Sequence, residues 1–143
     1  MTSDELAYAT IADITNHYRR RALSPVELTR ALLSRIERLD PTLHAFVTVT
    51  AERALADAER AEAALGRGQD GSPLLGIPVA CKDIYATRGI RTTAGSALLA
   101  DWVPEDDATC VTRLREAGIV AGRPRDLHHP ARGLRKSCFR SKL

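Results

Sequence analysis

The chain has 143 residues, 44% hydrophobic and 27% charged, the balance of a globular protein, with aromatics at only 4%. Its core must therefore rest on Leu, Ile, Val and Ala, and at this length one domain can bury about two-thirds of its unfolded surface. The net charge of +3 conceals a division: residues 121–143 hold seven basic groups against one acid, Asp126, for +6, which leaves residues 1–120 at −3. Nothing in the body asks for an anionic partner, so nucleic acid is not expected as one. The opening MTSDELAYATIADI has no basic segment ahead of an apolar run, and no stretch approaches the ~18 apolar residues of a membrane span. A cytoplasmic chain with no membrane partner is expected. Cys81, Cys110 and Cys138 are far apart and lack C-x-x-C spacing, so they read as reduced thiols rather than a disulfide framework or zinc site.

Ile11, Ile14, Tyr18 and Ala22 recur at spacings of three and four, which predicts a helix over 9–21. In the second helix Ser24 can N-cap, Pro25 suits the first helical position, and Glu27 completes a capping box. Leu28, Leu32, Ile36 and Leu39 follow on one face, and Asp40-Pro41 is expected to end it. Residues 43–49 (LHAFVTV) read as a short strand. Thr50 opens an alanine-rich helix over 51–65, amphipathic but weakly apolar and so expected on a surface, with Gly66 and Gly68 as its stop.

After a loop over 66–75, Ile77 to Cys81 (IPVAC) reads as a short strand buried on both faces. Asp106 or Asp107 is expected to cap a last helix through Val111, Leu114 and Ala117, which Gly118 ends before Ile119-Val120 begins a new strand. From Ala121 onward neither the strand nor the helix period persists. There is no internal repeat.

Lysine is almost never fully buried without a partner, so Lys82, directly after the apolar run, needs a reason. It can reach solvent or pair with Asp83 at the strand end. The sharper alternative is a desolvated lysine that has become neutral enough to act as a base. Among competing candidates, His128-His129 are adjacent and lack a further ligand at useful spacing, so no metal is expected. Cys81 fits the strand as a small hydrophobe.

Residues 76–120 carry three elements in order: G-I-P-V-A-C-K-D (76–83), T-T-A-G-S (92–96) and D-A-T-C-V-T-R-L-R-E-A-G (107–118). This set resembles the amidase signature family, whose members carry a G-x-P segment ending in K-D, then T-T-x-G-S, then a helix of the D-[AS]-x-x-V-x-x-[LI] type. Ser24-Pro25-x-Glu27-Leu28 and the His-Ala-Phe-Val at 44–47 extend the resemblance, which covers about residues 9–122. It implies an α/β fold with helices packed on a mixed sheet, of which this chain holds an incomplete amino-terminal part. It also implies hydrolysis of carboxylic amide C–N bonds by a Ser–cis-Ser–Lys triad without a cofactor, Lys82 being the catalytic lysine. Ser96, by the same resemblance, belongs to a loop that shapes the site and does not attack.

The family pattern continues after Val120 towards the serine-rich segment that carries the nucleophile and oxyanion donors, whereas this sequence departs at about Arg123. The division expected is therefore 1–122, the amino-terminal portion of an amidase domain, and 123–143, a basic tail that is disordered or read out of frame. Without the serines the chain is expected to be inactive alone. With so much of the sheet missing, faces such as Ile77 to Cys81 are expected to lack partners and to leave apolar surface exposed. The resemblance implies a small-molecule amide as substrate and allows a homodimer. Its alternatives are a non-catalytic interaction protein and a fragment of an aminoacyl-tRNA amidotransferase A-like subunit.

Overall fold

The computed structural model describes the backbone of residues 3–121 and 141–142 and the side chains of residues 5–121. The elements are α1 (Ser3–Tyr8), α2 (Ile11–Arg19), α3 (Pro25–Leu43), β1 (Phe46–Thr48), α4 (Ala51–Gly66), β2 (Cys81–Lys82), a 3-10 turn (Ala97–Leu99), α5 (Thr109–Glu116) and β3 (Ser141–Lys142). The short helix α1 lies ahead of the first helix read from the sequence.

Helix α2 starts later than its periodicity suggests because Thr10 takes the N-cap and closes a capping box with Asp13. The Thr10 hydroxyl and backbone both hydrogen-bond the Asp13 carboxylate, which holds its pKa below the ordinary carboxylate range. Helix α3 begins as expected, with Ser24 and Glu27 forming the reciprocal box. Its end differs: the helix runs through Pro41 to Leu43. A proline in the last turn forfeits only one intrahelical bond. Asp40 closes the turn: its carbonyl accepts from His44 N at 2.7 Å, and its Oδ1 accepts from Ala45 N at 2.6 Å and Phe46 N at 3.0 Å.

Helix α4 lies on a surface as expected, with one exposed face and one buried. The expected surface helix has Ala54 and Ala58 fully buried, packed with Val26 of α3 and with Val120. Alanines bury little area each, but their small size lets α4 lie close against α3. The small residues on its buried face go with close approach, while the opposite face stays exposed.

A second core joins Leu6, Ile14, Tyr18 and Leu28 to Ile77. Ile77 and Cys81 are buried, so the expectation that this segment lacks partners is overturned. The residues before β2 run parallel to 118–120: Gly76 N donates to Gly118 O, Val120 N to Ile77 O and Val79 N to Val120 O, at 2.9–3.1 Å. The continuous strand expected over 77–81 is thus a bridge at Pro78 followed by the two-residue β2, with Ala80 exposed. The proline removes a ladder donor in the middle of the run.

Two glycines make this pairing feasible. Gly76 has φ +78°, and a Cβ there would stand 2.8 Å from Pro25 Cγ and 3.3 Å from Tyr18 Cε2. Gly118 has φ +85°, and its Cβ would meet Leu75 Cδ1 at 2.7 Å. Both positions need positive φ and have no room for a side chain. The buried Tyr18 hydroxyl donates to Gly76 O at 2.9 Å, and burial pushes its pKa well above the usual phenol value.

The named strands form one mixed sheet of order β1-β3-β2, in which β3 runs parallel to β1 and antiparallel to β2. Apart from Ser141–Lys142, the tail expected over 123–143 lies outside the described residues, as do Cys138 and the His128-His129 pair. Cys81 is a buried free thiol and Cys110 an exposed one. No helix among the described residues is long and apolar enough to cross a membrane.

Candidate active site

Lys82 ends β2, half-buried, between the buried side chains of Cys81 and Asp83. Its carbonyl accepts from Tyr85 N at 3.1 Å, so the chain turns immediately after it. Asp83 anchors that turn to the threonine loop. Its Oδ1 accepts from Thr93 N at 3.1 Å, its Oδ2 accepts from the Thr93 hydroxyl, and its own carbonyl accepts from Ala94 N at 3.0 Å. Buried carboxylates need partners, and the threonine at 93 supplies two donors from one residue.

The two motifs, ten residues apart in sequence, are thereby made one unit, and this fixes the backbone that carries Lys82. Thr92 is fully buried, its hydroxyl donating to Ile90 O at 3.1 Å and its amide to Trp102 O at 2.9 Å. Ser96 accepts from Leu98 N at 3.2 Å as the N-cap of the 3-10 turn.

The third motif behaves differently from expectation. Helix α5 starts at Thr109 with Ala108 as its N-cap, and neither Asp106 nor Asp107 caps it. Asp107 instead accepts from Arg88 N at 2.7 Å through Oδ1 and pairs with Arg115 Nε at 2.9 Å through Oδ2. With Ala108 N donating to Ala86 O at 2.8 Å, this pins the segment after Lys82 onto α5. A capping aspartate and an anchoring aspartate look alike in sequence; Arg115, eight residues on, was the only local signal of the second role.

The site is thus a lysine at a strand end held by two carboxylates, Asp83 from one side and Asp107 through the loop. Among the described residues no group of three His, Cys, Asp or Glu side chains is placed to hold a metal ion. The family model for Amidase matches residues 27–122, two-thirds of the chain.

The chain belongs to the amidase family. It is 51% identical over 116 residues to the glutamyl-tRNA(Gln) amidotransferase A-subunit of Geobacter metallireducens and 47% identical to that of Moorella thermoacetica, in each case over 81% of this chain and 24% of the relative. Among solved structures, the native peptide amidase from Stenotrophomonas maltophilia matches with a TM-score of 0.75 at 35% identity, over 82% of this chain and 24% of that one. An amidase family protein from Bacillus anthracis matches with a TM-score of 0.74 at 32% identity. The chain therefore spans about a quarter of the length of these amidases, and the mixed helix-and-strand architecture described above is the corresponding part of their fold.

Proposed function

We propose that this chain is the lysine-bearing portion of an amide-hydrolysing fold, with Lys82 as the base of a Ser–cis-Ser–Lys triad whose serine segment these 143 residues do not contain. The observation that carries the reading is the double clamp of Thr93 on Asp83, which holds the backbone of Lys82 against the T-T-x-G-S loop. A triad lysine must be neutral when it takes the proton relayed from the attacking serine, and it must be held still. The turn directly after Lys82, closed by the bond from Tyr85 N to the Lys82 carbonyl, serves the second need. On this reading the bond cleaved is a carboxylic amide C–N bond, and no cofactor takes part. The protein works in the cytoplasm, and a homodimer is compatible with it.

A second reading has a specific observation in its favour. Identity to the amidotransferase A-subunits reaches 51%, against 35% for the peptide amidase, which supports an amide donor used for transfer, as in an aminoacyl-tRNA amidotransferase A-like subunit. Either way these residues by themselves supply neither nucleophile nor oxyanion donors. We expect no hydrolysis of aryl amides or glutamine above background and no labelling by a fluorophosphonate.

The test of Lys82 is a chimera in which residues 9–122 replace the matching portion of the Geobacter metallireducens amidotransferase A-subunit. It should hydrolyse glutamine, and Lys82→Ala should lower kcat by about 10³-fold or more. Lys82→Arg should fail equally, because a guanidinium is not deprotonated. A folded chimera whose turnover survives Lys82→Ala would remove Lys82 from the mechanism.

A further inference from the structure

Five of the nine large apolar side chains exposed among the described residues fall between positions 84 and 103: Ile84, Tyr85, Leu98, Trp102 and Val103. Single exposed apolar residues are ordinary, but a concentration of this kind marks a contact surface. Hydrogen bonds hold the segments that carry them in place. Asp83 accepts from Thr93 N and Ala94 N, Thr92 N donates to Trp102 O at 2.9 Å, and Gly89 N donates to Pro104 O at 2.8 Å. Anchors already fixed in this way lose little freedom when another surface covers them.

Two observations say what covers them. Tyr85 N closes its turn on the Lys82 carbonyl, so Ile84 and Tyr85 stand within one tight turn of Lys82. A serine that exchanges a proton with Lys82 must come within roughly 3 Å of its amine, and the polypeptide that brings it must then lie against the residues around that turn. The match to the amidases covers 24% of their chains, so most of that fold has no counterpart in the matched portion. A second copy of this chain suits the face less well. Asp101, Glu105 and Asp106 flank Trp102 and Val103 in sequence and are exposed, so a symmetric dimer through this face would set acid against acid.

We propose, on the triad reading of Lys82, that the face carrying Ile84, Tyr85, Leu98, Trp102 and Val103 is the docking surface for the serine-bearing part of an amidase fold. Leu98 and Trp102 are its apolar anchors, and the acidic residues beside Trp102 and Val103 call for basic groups on the covering surface.

Hydroxyl-radical labelling reads the cover directly. In the isolated chain Leu98 and Trp102 should label at the rate of open side chains. In the chimera that carries residues 9–122 within the Geobacter metallireducens A-subunit, both should label about fivefold or more slowly at equal dose. Leu98→Asp should leave the denaturant midpoint of the isolated chain unchanged and lower the Tm of the chimera by about 3 °C or more. Protection should survive Lys82→Ala, which separates the face from the chemistry: turnover indifferent to Lys82 overturns the triad reading, whereas open Leu98 and Trp102 in an active chimera overturn the docking face. If the Geobacter host does not fold, the Moorella thermoacetica A-subunit takes its place, and failure of both hosts counts against the face. Slow labelling in the isolated chain would also overturn it, and a dimer that Leu98→Asp dissolves would identify a second copy as the occupant.

Discussion

The helical half and the loops after β2 are built on different principles. Helices α1 to α4 hold together through apolar contact, with Leu28 fully buried at the centre of one cluster and Ala54 and Ala58 at the centre of the other. Residues 83–108 instead hold together through polar side chains, with Asp83, Thr87, Thr92 and Thr93 buried. There most large apolar residues face outward, although Ile90 is buried: Ile84, Trp102 and Val103 are exposed, and Leu98 is 96% exposed. A loop region with a polar interior and an apolar exterior can be ordered without a core of its own, and its outward residues are free to meet another surface.

That contrast can be broken at its apolar end first. Leu28→Ala should cost about 3 kcal/mol or more, seen as a lower denaturant midpoint for the whole helical half, because no neighbour can fill the space left by a fully buried side chain. A loss under about 1 kcal/mol would mean that α3 is loosely packed.

The polar end should respond locally. Asp83→Ala strands the Thr93 donors in a buried site and should cost about 2 kcal/mol. Exchange should rise across 83–96 while α3 and α4 stay protected. Equal loss in both regions would show that they unfold as one unit and that the contrast is only compositional.

Tyr18 ties the helical half to the segment that leads into β2 through its bond to Gly76 O. Its pKa is raised on folding, so the stability it contributes is complete below the unfolded phenol value and is lost as pH rises above about 10. Tyr18→Phe should cost about 1 kcal/mol at neutral pH and remove that part of the alkaline loss, measured by urea titration at several pH values.

The smallest effect belongs to Asp13, exposed at the start of α2. Its pKa is lowered on folding, so its contribution is present above the ordinary carboxylate range and fades as pH falls below about 4. Amides at the start of α2 should lose protection in that window, and Asp13→Ala should abolish the pH dependence there.

Local chemistry made some of this legible in advance. The reciprocal box of Ser24 and Glu27 and the positive-φ stop at Gly118 are decided within a few residues, so sequence determines them. The ordered motifs likewise determine the family and single out Lys82. Other features depended on what comes near in space. Whether Ala54 and Ala58 face solvent or core is set by the approach of Val26 and Val120, which no periodicity records. Pro41 stays helical because Asp40 closes the turn around it with three acceptances. Asp107 anchors a loop rather than capping a helix because Arg88 N and Arg115 converge on it. Pairing of β3 between β1 and β2 joins residues about sixty or more positions apart, and the tail shows no strand period. Short-range hydrogen bonds are written in neighbouring residues, whereas burial, ion pairs and strand order are settled only when distant segments compete for the same space.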